Sequence, residues 1–218
     1  MNAAIRLGAV LVLLTGAVHA EVCPAPGPDP GVELLRPLDT PEIRAQLRRG
    51  HAWRESTGDV GEYFSRLEVA AFLGEVDLVN ELLRNPAVPH EILLSSASLS
   101  IYSGHREILV LLFDKAYVSP DARFEGQPLI ALASAAGHAD VLQEFIDRKA
   151  LMYPQDGEVP DADALIAAIM NHQQQSVATL LAAGFDPSRS RTSNGLTPLE
   201  LAKRMKDPCI AKLLSVPQ

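Results

Sequence analysis

The chain has 218 residues, of which 47% are hydrophobic and 21% are charged, an ordinary balance for a soluble globular protein. Its 19 basic and 27 acidic residues give a formal net charge of −8. Such a chain is poorly suited to nucleic acids and anionic lipid surfaces, because both attract clustered Lys and Arg. The charge permits a basic protein partner without requiring one.

The first 20 residues have the organisation of a secretory signal peptide. Arg6 supplies the basic start, an apolar run covers 7–14, and Ala20 ends a small-residue cleavage site. An uncleaved anchor is the less favoured alternative, because the run is short for a bilayer. Removal of residues 1–20 lowers the basic count from 19 to 18 against 27 acidic residues, a net charge of −9. We therefore expect an exported, periplasmic protein without stable membrane insertion after cleavage.

A Pro-rich leader follows at 21–38 and is expected to be extended. A helix then begins at Pro41, with Thr40 as its N-cap. We interpret 39–62 as an N-terminal capping helix with its connection. Trp53, in that connection, is expected to cover the end of the core.

An apolar quartet recurs along the remaining chain at nearly constant spacing. Its members stand at i, i+1, i+4 and i+5, which places them on one stripe of a helix. The quartets begin at Leu78, Ile108, Val141, Ser176 and Cys209, in steps of 30, 33, 35 and 33 residues. With a second helix predicted in each step, this spacing indicates repeated units that bury their stripes against one another.

Glycine marks the break between the two helices in three units. Gly74, Gly104 and Gly137 each stand four residues before a quartet, where glycine adopts a left-handed C-cap without strain. Pro128 suits the first position of the helix that ends at Gly137. In the fourth unit His172 replaces the glycine.

The segment 195–202, GLTPLELA, resembles the opening of an ankyrin repeat, with Glu200 where that family usually has His. His105 and His138 match the family's Gly-His pair, and 184–187 resembles the turn after its second helix. The resemblance covers about residues 63–215. It implies an all-α ankyrin-repeat solenoid of four to five helix-turn-helix units in a domain at 63–218. It also implies protein binding rather than catalysis.

In the ankyrin pattern the connections between units protrude as fingers beside a concave surface. The resemblance therefore implies partner-binding residues in two fingers and on two first helices. The candidates are Arg123, Phe124, Glu125, Arg189, Arg191, Tyr102 and Met170. Each has an alternative: the finger arginines as solvated charges, and Phe124 as a side chain folded back on its own hairpin. The lysines of the last unit are interpreted as the polar outer face of a terminal repeat.

No residue is assigned to catalysis, to a metal or to a cofactor. The chain lacks the H-E-x-x-H, G-x-S-x-G and P-loop patterns. An acidic loop carries Asp156, Glu158, Asp161 and Asp163, but its spacing differs from an EF-hand, so we interpret it as solvated.

The histidines and cysteines are given structural interpretations. The rings of His105 and His138 are expected to bond nearby backbone, whereas His51 and His90 stand alone in loops. Cys209 holds a quartet position, where a thiol packs as an apolar residue. Because Cys23 belongs to the leader, we expect no bridge between the two cysteines, although export permits one.

Three functional hypotheses follow. In the first, the protein is an inhibitor or immunity protein that binds a secreted toxic enzyme, and its negative charge speeds capture of a basic partner. In the second, it is a periplasmic adaptor or stabiliser of a resident envelope enzyme. In the third, a hydrolase site lies in the acidic loop, and activity would then depend on Asp156 or Glu158.

Overall fold

The computed structural model describes residues 23–25, 36–49, 64–151 and 163–216. In these ranges the chain is mostly helical, which confirms the all-α class. Several sequence predictions lie outside the described residues. They are the signal peptide at 1–20, most of the leader, His51, Trp53 and its connection, and Asp156, Glu158 and Asp161.

The described α-helices are one single helix followed by five pairs, and two short 3-10 helices lie at Arg36–Leu38 and Pro187–Arg189. The single helix is α1 (Pro41–Arg49). The pairs are α2 (Arg66–Phe72) with α3 (Val76–Leu82), α4 (His90–Tyr102) with α5 (Arg106–Asp114), α6 (Leu129–Ala136) with α7 (Ala139–Asp147), α8 (Ala164–Met170) with α9 (Gln174–Ala182), and α10 (Pro198–Arg204) with α11 (Pro208–Ser215). A two-stranded antiparallel hairpin, β1 (Arg123–Phe124) and β2 (Gln127–Pro128), precedes α6.

The pairs pack in chain order as two rows. The first helices α2, α4, α6, α8 and α10 each contact the next and form an inner row. The second helices α3, α5, α7, α9 and α11 form an outer row in the same way. Both helices of a pair also contact each other. We call each pair a unit and number the units one to five.

The predicted apolar stripe lies in the core between the rows. In unit three, Val141, Leu142 and Phe145 are fully buried, and Ile146 is half-buried against the same core. The stripe is therefore confirmed in this unit for three of its four members. Full burial of a Leu or Phe side chain contributes about 1.5–3 kcal/mol, so the outer helices are held by apolar contact with neighbouring units.

A regular ladder of side chains links one unit to the next. The N-cap residue of an outer helix lies against the left-handed residue of the preceding unit. His105 covers Gly74, and His138 covers Gly104. His138 Nε2 also lies 3.0 Å from the Tyr102 carbonyl, to which it donates. The prediction that these rings bond nearby backbone is confirmed for His138.

The ladder explains why these turns use glycine. Gly104 has φ +76°, and a Cβ there would lie 2.7 Å from His138 Nδ1. Both the backbone angle and the space therefore favour glycine. Gln173 covers Gly137 in the same manner, so the N-cap side chain need not be a histidine.

At both ends of the row of units, different residue types form the ladder. At the start, Glu75, the N-cap of α3, pairs with Arg44 (2.6 Å) and Arg48 (2.8 Å) of α1. Between units four and five, His172 Nδ1 lies 2.8 Å from Asp207 Oδ2. His172 has φ +55°, and its partner Asp207 is the N-cap of α11, so the two residues stand at the same two positions of the ladder as a glycine and an N-cap ring elsewhere.

Two helix starts depart from the sequence predictions. Pro128 is the N-cap of α6 (φ −59°, ψ 138°) rather than its first helical residue, because it also belongs to β2. His90 is the first residue of α4 and does not stand in a loop.

Glu200 has a local role at the start of α10. Thr197 and Glu200 form a capping box at the start of α10. The Thr197 backbone N–H donates to Glu200 Oε2 at 2.8 Å. Such a box satisfies two N–H groups that a helix start otherwise leaves without partners.

The expectation about the cysteines is wrong. Cys23 and Cys209 form a disulfide, with their Cα atoms 5.7 Å apart. Cys209 is half-buried in α11. The contact joins residues that 186 positions separate, and no local pattern predicts a contact of that span.

Candidate partner-binding surface

The first finger is the β1–β2 hairpin before unit three. Arg123 pairs with Pro128, and Glu125 and Gly126 form its turn with φ of +50° and +81°. Arg123 Nη1 donates to the Gly126 carbonyl at 2.8 Å, which braces the turn. Glu125 is exposed at the tip, whereas Phe124 is half-buried against the core. Phe124 therefore packs on the core, whereas the alternative placed it against its own hairpin.

The second finger joins units four and five. Asp186 accepts from the Ser188 backbone N–H at 2.9 Å, and hydrogen bonds from Ser188 hold the pKa of Asp186 below its usual value. Arg191 Nη1 donates to the carbonyls of Ser188 (3.0 Å) and Ser190 (2.6 Å). Arg189 and Arg191 are both exposed, and Arg191 also holds the shape of its own turn.

Hydrogen bonds tie each connection between units to the next. They run from Tyr117 Oη to the Leu83 carbonyl (2.8 Å), from Leu151 N to Asp121 Oδ1 (2.8 Å) and from Ser190 Oγ to Asp163 Oδ2 (2.6 Å). These bonds join all four connections in sequence. The described residues at the bases of these connections therefore lie next to one another along one edge, which we call the finger edge.

Asp163 anchors the second finger and is not part of a solvated loop. Its side chain is buried and accepts from Ser190 Oγ and from the backbone N–H groups of Leu165 (2.8 Å) and Ile166 (3.1 Å). Burial raises the pKa of this carboxyl, against the lowering effect of these hydrogen bonds. The interpretation of Asp163 as a solvated residue is therefore wrong. Its partner Ser190 lies 27 positions away, so the local sequence does not reveal the contact.

The two inner-row candidates lie at the other end of their helices. Tyr102 is the last residue of α4 and Met170 the last residue of α8, whereas the fingers precede the first residues of inner helices. A seven-residue helix such as α8 is about 10 Å long. Met170 is 51% exposed, and Tyr102 is half-buried. The seven candidates therefore form two groups rather than one site.

A basic groove lies on the open face of unit five. It measures about 520 Å³ and is lined by Lys203, Lys206 and Lys212 together with Pro208 and Ala211. Its carboxylate, Asp207, is buried and bonded to His172. Sequence reasoning treated these lysines only as a polar cap. Their spacing on two adjacent helices was the available signal for a charged groove.

Within the described part of the chain, no group of three or more His, Cys, Asp or Glu side chains is placed to hold a metal ion. Among the same residues, no helix is both long and apolar enough to cross a membrane. The chain matches no model of a known protein family and no curated protein sequence.

Proposed function

We propose that this protein is an exported, non-catalytic, ankyrin-like binding module that inhibits a secreted toxic enzyme by occluding it. The proposed binding surface is the finger edge, with Glu125, Arg189 and Arg191 as its exposed charged residues. Met170, at the opposite end of α8, belongs to a second contact region on the inner row.

The ladder between units supports the ankyrin-like assignment. The same relation between a turn residue and the next N-cap recurs from Gly74 to His105, from Gly104 to His138 and onward. Such neighbour-to-neighbour contact is typical of a repeat solenoid. A solenoid offers an extended surface for a partner.

The Cys23–Cys209 disulfide supports export. Disulfides form and persist in secreted and periplasmic proteins and are rare in a reducing cytosol. This observation agrees with the signal peptide proposed at residues 1–20.

The finger edge is the observation that carries the choice of surface. Hydrogen bonds of 2.6 and 2.8 Å join the described residues of successive connections, so the bases of the two fingers are ordered by contacts with neighbouring connections. Surfaces ordered before binding lose less conformational entropy when they bind. The finger edge therefore suits recognition of another protein.

The experiment is affinity capture from the producing organism with tagged residues 21–218. Each captured protein is identified by mass spectrometry and assayed alone and in the complex. Under the inhibitor proposal we expect a stoichiometric secreted hydrolase whose activity falls on mixing. Capture of a resident envelope enzyme that stays active would instead support the adaptor alternative.

The control separates the finger edge from the rest of the surface. Glu125→Lys with Arg189→Glu reverses two exposed finger charges. Lys203→Glu with Lys212→Glu reverses charges in the basic groove of unit five. We expect only the finger variant to lose the partner. Equal capture by both variants and by wild type would contradict the finger edge as the binding surface.

A further inference from the structure

The Cys23–Cys209 disulfide joins the two ends of the row of units. Cys209 lies in α11, the last helix of unit five, and Cys23 precedes α1. Helix α1 is attached to unit one, since Arg44 and Arg48 pair with Glu75. With 186 positions between the cysteines, the covalent loop contains units one to four and α10, and it closes at the second residue of α11.

The end helices bury fewer side chains than the central ones. Leu47 is the buried residue of α1 and Ile210 that of α11, whereas α7 in unit three buries four residues. Helix α11 packs against α9 and α10, which both precede it in the row. In a chain of units that contact their neighbours, the ends open at the lowest free energy. A covalent link between the ends therefore acts on the weakest part of the fold.

The bond can be reached from solvent. Cys23 is exposed, and Cys209 is half-buried in α11. Exchange requires a thiolate to approach one of the two sulfurs, so the Cys23 Sγ is the accessible point of attack. The remaining thiol, on Cys209, then stays within unit five.

We propose that this disulfide is a redox-sensitive clasp that closes the row of units end to end. In the oxidised protein it holds α11 and the residues ahead of α1 together. In the reduced protein this restraint is lost and unit five opens, while units two to four stay folded. Access to unit five is thereby set by the thiol redox state of the compartment.

The chemistry is exchange with a dithiol. A thiolate of the dithiol attacks Cys23 Sγ, and Cys209 leaves as a thiolate and takes up a proton. The second thiol then displaces the Cys23 sulfur, which is also protonated. Two electrons and two protons pass to the cysteines, and the dithiol becomes a disulfide. Closing follows the reverse path with a disulfide oxidant as the electron acceptor.

The pairing is tested first by peptide mapping of unreduced residues 21–218. We expect one cross-linked peptide that joins Cys23 to Cys209 within a monomer. Two free thiols, or dimers linked through Cys23, would overturn the proposal. This readout requires no binding partner, so it stands apart from the test of the proposed function.

The opening is tested by native-state hydrogen exchange with and without dithiothreitol. We expect amide exchange in α11 to quicken about tenfold or more on reduction, and α6 and α7 to respond less than about threefold, because local opening starts at the ends. Unchanged exchange in α11 would overturn the clasp. The same acceleration in every unit would overturn the selective opening of unit five.

The matched variant is Cys23→Ser. Cys23 is exposed, so serine removes the bond with little change to the packing of α11. We expect this variant to exchange like reduced wild type in both buffers and to show no response to dithiothreitol. A response of the variant to dithiothreitol would show that the reagent acts elsewhere and would contradict the proposal.

Discussion

The contact of His138 with Gly104 combines two constraints on one residue. The glycine has φ +76°, and a Cβ would lie 2.7 Å from the ring. We expect Gly104→Ala to lower the free energy of unfolding by about 2–4 kcal/mol, since a left-handed alanine costs about 1–2 kcal/mol and the ring must also shift. Chemical denaturation measures this change.

Gly126 provides the control for that substitution. It has φ +81°, but nothing lies within 4 Å of an added Cβ. Gly126→Ala therefore isolates the cost of the backbone angle, about 1–2 kcal/mol. Equal losses for the two variants would mean that the ring of His138 does not contribute to the requirement for glycine.

His105 makes stability depend on pH. Burial of the ring lowers the pKa of His105 below 6.5, and the nearby Arg44 and His138 lower this pKa further. A hydrogen bond to the Phe72 backbone and the charge of Asp39 act in the opposite direction but are weaker than burial. The folded state therefore binds fewer protons than the unfolded state between its own pKa and 6.5. Stability from this group is complete above pH 6.5 and is lost as pH falls through the folded pKa.

We expect His105→Gln to flatten the pH dependence of unfolding below pH 6.5. One proton contributes at most about 1.4 kcal/mol per pH unit. Glutamine is a suitable replacement, because Gln173 fills the same place beside Gly137. Parallel slopes for wild type and His105→Gln would contradict the assignment.

At the scale of one helix, α9 carries a polar residue in its apolar stripe. Ser176 stands where other units have Leu78, Ile108 and Val141, it is fully buried, and its hydroxyl has no partner among the described residues. An unsatisfied buried polar group costs about 1–3 kcal/mol. We expect Ser176→Ala to raise the free energy of unfolding by about 1 kcal/mol, measured by urea denaturation.

Ser134 is the matched comparison in α6. It is equally buried, but its hydroxyl donates to the Ile130 carbonyl at 2.8 Å. Ser134→Ala removes a made hydrogen bond and should be neutral or destabilising by up to about 1 kcal/mol. The hypothesis about Ser176 fails if the two alanine variants change stability in the same direction and by the same amount.

Local signals predicted the helices and their breaks. The quartet of α7 and the C-cap at Gly137 follow from spacing and from glycine's access to positive φ. The residues whose surroundings were predicted wrongly contact parts of the chain that are distant in sequence. Asp163 is buried because Ser190 donates to it, and Phe124 folds inward because the core lies beneath its hairpin. Neither partner can be identified from the neighbouring sequence.

A long-range ion pair joins the outer helices α5 and α7. Glu144 of α7 accepts from Arg106 of α5 (2.5 Å) and from Arg148 (2.6 Å). Arg148 lies 5.1 Å from the centre of the Phe113 ring, and Phe113 meets Phe145 edge to face at 5.3 Å. Charge and aromatic contacts thus reinforce one interface between units two and three.

At the scale of the whole molecule, the disulfide restricts the unfolded chain. A loop of 186 positions corresponds to about 5 kcal/mol in the chain-entropy treatment of cross-links, which is an upper value. We expect Cys23→Ser to lower the free energy of unfolding by about 3–5 kcal/mol, measured by urea denaturation without reductant. The two proteins should converge in dithiothreitol. An unchanged midpoint in the absence of reductant would contradict a stabilising bond.

The ladder also couples the residue types at two distant positions of the chain. His172 holds, in unit four, the left-handed position of Gly74, Gly104 and Gly137, and its partner at the N-cap of α11 is Asp207. Glycine is thus matched with a histidine or glutamine N-cap, and the left-handed histidine with an aspartate. A substitution at one of the two positions therefore calls for a compensating substitution at the other, and a unit can be moved within the array only where both of its neighbours supply the matching residue.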